Sequence, residues 1–391
     1  MSNIKYKQSD PRAYLFIIGI VTLSLSTAVG ALNYIVDPYL IHQWNTELIN
    51  RSGPRQPKIT PWAKTYAAFR YHPEVVYLGS SRTETGLPTQ IELFKDKRVL
   101  NLALSGGTQG DAINMLYHTS GFYRPEIVVW GLEYGWLFTD GIGNTDFNRS
   151  LIFTNSLYPI WRLLVNIKRC FSIDMARNTF KILLGTSEQE CPSILSTYGQ
   201  EPERCVERNM EVDGGTAKAF ERTMQNVSKT VVPESTIVME QLNKVTEKFC
   251  EYGTQLRFFI QPNHALSELH YLSQWENREN WQRTLVKLID KRKAQGCDIK
   301  LVDFSGFNDI TTEEIPQETG RETMRYYWEQ SHYRSEVGRM ILAKLFSVDT
   351  KAEPSEFGVE LTGKVIEQHM ENMRSSRDRY LKGHPIETRH F

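Results

Sequence analysis

Apolar positions along this chain fall into short runs separated by stretches of helical period. "VVYL" (residues 75–78), "RVLNLAL" (98–104), "PEIVVWGL" (125–132), "TQLRFFIQP" (254–262) and "IKLVDFSG" (299–306) each predict a buried strand, rich in β-branched, large apolar or aromatic residues. Between them, "GDAINMLYHTSGF" (110–122) sets Ile113, Leu116 and Tyr117 at helical spacing. "ESTIVMEQLNKVTEKFCEYG" (234–253) and "NWQRTLVKLIDKRKAQG" (280–296) read as helices stopped by glycine. Strands alternating with helices predict an α/β fold: a three-layer, doubly wound parallel sheet, flavodoxin-like, with helices on both faces. Right-handed crossovers then bring the carboxyl ends of all strands to one rim. That rim collects Ser81, Ser105-Gly106-Gly107, Gly131, Glu133, Asn263-His264 and Asp303.

A different pattern precedes the sheet. "AYLFIIGIVTLSLSTAVGALNYIV" (residues 13–36) carries no charge, which predicts one transmembrane helix with Tyr14 and Tyr34 at the interfaces. A cleaved signal peptide is the rival, with small residues at Ala28-Val29-Gly30-Ala31; the run is long for one, and an uncleaved anchor is the favoured reading. Lys5, Lys7 and Arg12 precede the span, but Arg51, Arg55 and Lys58 follow it, so charge orients it only weakly. A short tail and a large body fit a single-pass protein of the inner (cytoplasmic) membrane, with residues 1–12 a cytoplasmic tail and the carboxyl-terminal body extracytoplasmic, facing the periplasm.

Residues 37–72 read as a proline-bearing connector with one helix near 62–69, and residues 73–348 as the α/β domain. Within it, residues 139–233 lack strand–helix alternation and read as a helical insertion, a cap or lid over the rim. Residues 349–391 form a tail whose charged helix, near 363–383, reads as peripheral.

Composition narrows the partners. Lys+Arg and Asp+Glu are both 46, and no basic stripe with interleaved aromatics occurs, so nucleic acid is not expected. Hydrophobic residues at 40% suit a packed core. The five cysteines form no CxxC pair. Cys191 and Cys205 lie in a loop-like stretch and can pair in an oxidising compartment; five separate thiols is the other reading.

Two motifs carry candidate chemistry. In "VVYLGSSRTETG" (75–86) a serine follows a buried strand, where open α/β sheets place their sites, although a polar turn explains the same residues. In "YYWEQSHYRSEVG" (326–338) Glu329 and His332 are three apart, so a carboxylate can reach an imidazole nitrogen on one turn. The carboxylate fixes the tautomer, and the other nitrogen can take a serine proton. Metal binding by Glu329 and His332 is the rival, but no further ligands stand out, and His264 and His270 do not share a helical face. No metal and no cofactor is expected.

With these residues in place, the chain resembles the SGNH (GDSL-type) hydrolase superfamily, especially its membrane-anchored branch linked to O-acetylation of extracellular polysaccharides. Gly79-Ser80-Ser81 matches the first block, which makes Ser81 the nucleophile and puts Ser80 at the block's aspartate. "NLALSGGT" matches the second and puts a backbone oxyanion donor at Gly106, beside that of Ser81. Glu329-x-x-His332 stands for the last block, Asp-x-x-His. "NYIVDPY" after the span and "DFSGFN" before the histidine block also look like the membrane-anchored branch. The resemblance covers most of residues 75–345, without the insertion.

One block departs. The superfamily has Gly-x-Asn, and here Gly131-Leu132-Glu133 brings a carboxylate that would oppose a developing oxyanion. The expectations are that Glu133 points away, is protonated, or is replaced as a donor by Arg82 or His264; all three are candidate substrate-site residues. The resemblance implies a serine O-acyltransferase that passes acetyl to a cell-surface glycan, supplied by a partner acyltransferase with many membrane spans. A carbohydrate esterase on the same fold, and a non-catalytic scaffold for glycan or a secretion partner, are the other readings.

Overall fold

The computed structural model describes residues 11–39, 42, 60–138, 152–153, 157–185, 194–225, 236–316, 324–348 and 357–385. Along the chain run α1 (Pro11–Val36), α2 (Thr60–Tyr71), β1 (Val75–Leu78), α3 (Ser81–Gly86), β2 (Val99–Asn101), α4 (Gln109–Ser120) and β3 (Ile127–Leu132). Then come α5 (Tyr158–Cys170), α6 (Ile173–Leu183), α7 (Glu203–Val212), α8 (Thr216–Gln225), α9 (Thr236–Glu251) and β4 (Gln255–Ile260). The chain continues with α10 (Ala265–Glu268), α11 (Trp275–Ala294), β5 (Ile299–Asp303), α12 (Ser335–Leu345), β6 (Val359–Glu360) and α13 (Ile366–Gly383).

The strands form one six-stranded sheet in the order β2-β1-β3-β4-β5-β6. The first five run parallel, and β6 pairs antiparallel with β5. Side chains alternate between the faces. Val76, Leu78, Val128, Trp130 and Phe258 join the core packed by α2, α4, α9, α11 and α13. Val75, Tyr77, Val129, Phe259 and Val302 join the opposite core, with α10 and α12. The expected α/β sandwich with helices on both faces is therefore present, and a sixth strand joins it. Two residues are too few to stand out as a strand in sequence. The carboxyl-terminal segment is also more than peripheral, because α13 buries Ile366, Met370 and Met373.

The chain divides into two compact units: Met1–Arg55 with Thr154–Ser193, and Gln56–Phe153 with Ile194–Phe391. The insertion expected as one lid is thus split. Its first part, α5 and α6, packs on α1. Its second part belongs to the sheet unit, where it straps the rim. The Asn101 N–H donates to the Tyr198 carbonyl at 2.8 Å, and the Glu201 N–H to the Glu84 carbonyl at 2.9 Å. Gln200 Nε2 donates to Ser335 Oγ at 3.0 Å.

Helix α1 is long and apolar enough to cross a membrane. Residues 1–10, most of the connector and Cys191 lie outside the described residues, so the Cys191–Cys205 pairing is not among the structural findings. A disulfide not anticipated from the sequence joins Cys250 at the end of α9 to Cys297 before β5.

Candidate active site

The apolar run of β1 ends at Gly79, whose φ of +154° suits glycine. A Cβ there would also run into the Thr83 side chain. The chain turns at once into α3, with the Ser80 hydroxyl accepting from the Arg82 N–H at 3.3 Å as the helix cap. Ser81 is therefore the first residue of α3, half-buried at the carboxyl end of β1.

Its hydroxyl lies 2.7 Å from Nε2 of His332, a residue 251 positions later. On the other side of the ring, Nδ1 lies 2.5 Å from Oε1 of Glu329. The same carboxylate oxygen accepts the His332 N–H at 2.7 Å and the Ser331 hydroxyl at 2.7 Å. Burial pushes the Glu329 carboxyl upward, but the imidazole beside it and these donors outweigh that and hold it at about 2. The three groups form a continuous relay from hydroxyl through imidazole to carboxylate.

A tight loop carries the histidine. Tyr327 and Tyr333 form an antiparallel bridge across it. The Trp328 N–H donates to the His332 carbonyl at 2.9 Å. The Tyr327 hydroxyl donates to the Pro262 carbonyl at 2.8 Å and the Tyr333 hydroxyl to Gln261 Oε1 at 3.0 Å. Gln261 Nε2 in turn donates to Thr83 Oγ1 at 2.8 Å, which links the loop to α3. Gly131 leaves room for this link, since a Cβ there would collide with the Gln261 amide and the Thr83 hydroxyl.

Gly106, with φ of +66°, sits in the loop after β2. That loop is fixed from two sides. The Leu104 N–H donates to the Gly79 carbonyl at 3.1 Å. Ser105 Oγ donates to Glu84 Oε2 at 2.6 Å, and Lys64 Nζ donates to Glu84 Oε1 at 2.9 Å and to the Ala103 carbonyl at 2.5 Å. Lys64 and Glu84 have side chains 0% and 1% exposed, so this is a fully buried ion pair beneath the loop. Sequence reading missed it. Its signal was a single charge within the mostly apolar helical run "PWAKTYAAF".

Glu133 follows β3 and is held by two neighbours: the Ser80 hydroxyl and Arg82 Nη1 both donate to its carboxylate. Burial works against the Arg82 charge, but Glu133, with Tyr271 and Glu329, more than offsets it and the guanidinium pKa is raised. Between the ends of β3 and β4, Arg82, Glu133, Asn263, Glu268, Tyr271 and Arg278 line a polar cavity with room for about one water.

His264 takes a supporting position rather than the expected substrate contact. It is 1% exposed, its Nε2 lies 2.8 Å from the Glu313 carbonyl, and its Nδ1 accepts the Leu266 N–H at 3.3 Å to cap α10. Burial lowers its pKa to about 4. Its ring meets Tyr327 edge-on at 5.5 Å, so it braces the histidine loop from behind. Asp303 orders the loop after β5 through the Ser305 N–H at 2.9 Å, and accepts from His369 of α13 at 2.8 Å.

Among the described residues, no group of three or more His, Cys, Asp or Glu side chains is arranged to hold a metal ion. No protein-family model, curated protein or solved structure matches the chain.

Proposed function

We propose that this protein is a membrane-anchored, SGNH-type serine O-acyltransferase that works outside the cytoplasm, moving an acyl group, acetyl by resemblance, onto a hydroxyl of a cell-surface or exported polysaccharide. The observation that carries this reading is the unbroken relay Ser81–His332–Glu329. The strand order 2-1-3-4-5 supports a flavodoxin-like sheet, in which the chain reverses direction between β1 and β3. Ser81 and Glu133 follow those two strands, at the switch point where such sheets hold ligands. Helix α1 supports the anchor, and the Cys250–Cys297 disulfide supports an oxidising, extracytoplasmic compartment.

In the proposed cycle His332 Nε2 takes the Ser81 proton as Oγ bonds to the acyl carbonyl carbon. Backbone N–H groups of Ser81 and Gly106 bind the oxyanion, a donor of this kind being worth roughly 10²–10³ in rate. Collapse breaks the bond to the leaving group, which takes the proton from His332. A sugar hydroxyl then gives its proton to His332 while attacking the acyl-serine, and the second collapse returns that proton to Ser81 and releases the ester. The ion pair with Arg82 offsets the Glu133 charge, which supports an oxyanion forming nearby despite that carboxylate. Glycan and a multi-span donor acyltransferase are the partners this reading requires.

A serine-directed fluorophosphonate tests it on the full-length protein. Labelling at Ser81, lost in Ser81→Ala, is expected, together with acetyl transfer from an activated ester to an oligosaccharide. Acetate released equally without a sugar acceptor makes the protein an esterase. No labelling of the wild type overturns serine catalysis and leaves a glycan- or partner-binding scaffold.

A further inference from the structure

In the unit formed by α1, α5 and α6, many large apolar side chains face outward while Arg162 and Asn178 face inward. Ile160, Trp161, Leu164 and Ile167 of α5 and Phe180 and Leu184 at α6 are each between 48% and 72% exposed. On the inward side, Arg162 is 5% and Asn178 8% exposed, and Asn178 Nδ2 donates to the Tyr39 hydroxyl at 2.6 Å. Large apolar patches facing water are rare, whereas this arrangement is the ordinary one against lipid.

What covers the patch follows from where the hairpin is attached. Asn33 Nδ2 of α1 donates to the Cys170 carbonyl at 2.6 Å. Gly30 gives the close approach, since a Cβ there would lie 2.6 Å from the Phe171 ring. Gly30 is about one and two-thirds turns from the end of α1 at Val36, about 9 Å along the axis. A helix lying in the bilayer surface buries its apolar face about 5–10 Å deep, so the attachment point is at the matching depth. Charge agrees: residues 157–185 carry Arg162, Lys168, Arg169, Arg177 and Lys181 against Asp174 alone, in a chain of zero net charge. Lys168, Arg177 and Lys181 are exposed.

We propose that α5 and α6 form an in-plane membrane hairpin, seated in the headgroup–acyl boundary beside the carboxyl end of α1, with its apolar stripe in the lipid and its exposed Lys168, Arg177 and Lys181 on anionic phosphates. This goes beyond the catalytic reading. It rests on α1 lying in a bilayer and on nothing in the serine chemistry.

The test uses the full-length protein in nanodiscs containing phosphatidylglycerol, with and without phosphatidylcholine brominated near the headgroup end of its acyl chains. The fluorescence difference between wild type and Trp161→Phe isolates one of eight tryptophans. That component is expected to be quenched about two-fold by the bromolipid and little by aqueous acrylamide, as for a ring at the boundary. Ile167→Trp in the Trp161→Phe background should restore the bromolipid quenching. A component quenched by acrylamide alone puts the hairpin in water, and one untouched by either quencher puts it against protein; both overturn the proposal. Failure of the protein to enter nanodiscs overturns it as well, while leaving fluorophosphonate labelling of Ser81 as a separate result.

Discussion

Tyr327 and Tyr333 face each other as a bridge across the turn that carries Glu329 and His332. Both are fully buried, and both hydroxyls are tied to the segment that ends β4. The position of the imidazole is thus set by the sheet and not by the preference of a surface loop. Preorganisation of this kind is what serine chemistry needs, because a misplaced base loses most of its effect.

Glu329→Gln keeps the shape of the acceptor but not its charge, and allows the imidazole the wrong tautomer. By analogy with triad carboxylates, kcat for acyl transfer should fall about 10⁴-fold with little change in KM. Steady-state kinetics on the purified full-length protein reads this directly. A loss under ten-fold would mean that Glu329 only shapes the loop.

Acid should unfold the sheet unit through two named carboxyls. Glu329 is held at about 2 against an ordinary 4.5, its ring partner and hydrogen bonds outweighing burial. Asp303 is likewise held at about 2 against 3.8, where burial is outweighed by His369, Arg278 and Ser305. Both are depressed, so their stabilisation is complete above the ordinary values and drains away as pH falls toward 2. A carboxyl depressed by one pH unit contributes about 1.36 kcal/mol. Tm should drop steeply through that window and less steeply in Glu329→Gln. Parallel curves for the two proteins would refute the assignment.

Lys64→Met should destabilise the sheet unit by about 3–5 kcal/mol, because it strands the Glu84 charge in the core. Lys64→Met with Glu84→Leu should recover most of that, since apolar replacement of both partners is often neutral. Activity should not recover with it, because Ser105 loses the acceptor that fixes the Gly106 loop. Denaturant melts and kcat measured on the same preparations separate the two effects. A double variant restored in both would reduce the pair to a stability element.

Cys250→Ser should lower stability by about 2–4 kcal/mol, the usual range for a bond closing a loop of this size. Reduction of the wild type should reproduce the shift, and reduction of the variant should add nothing. A wild-type Tm indifferent to reductant would count against the bond.

The parts of this molecule legible in the sequence are those written locally. Strand runs read by their β-branched content, and Ser81 stood out because Gly79-Ser80-Ser81 ends such a run. Glu329 and His332 are three residues apart, so their contact is a matter of one turn. The Arg82–Glu133 pair, the Lys64–Glu84 pair and the Tyr333–Gln261–Thr83 chain join residues far apart in sequence. No periodicity encodes such partners. His264 looked like a rim residue by position, and only the packing of Tyr327 and Phe220 around it reveals a brace. Residues 139–233 read only as a helical insertion, and the outward direction of the α5 stripe depends on its attachment at Gly30 and Asn33 of α1.

Two residues of β6 have a consequence out of proportion to their number. Val359 and Glu360 cover the open edge of β5, and the helix that follows locks down over Asp303 through His369. Bare edges recruit strands from other molecules. A chain cut short before this clasp would keep every residue of the relay, yet present β5 as a template for intermolecular β-pairing, and it would be lost to aggregation before it was ever assayed as an enzyme.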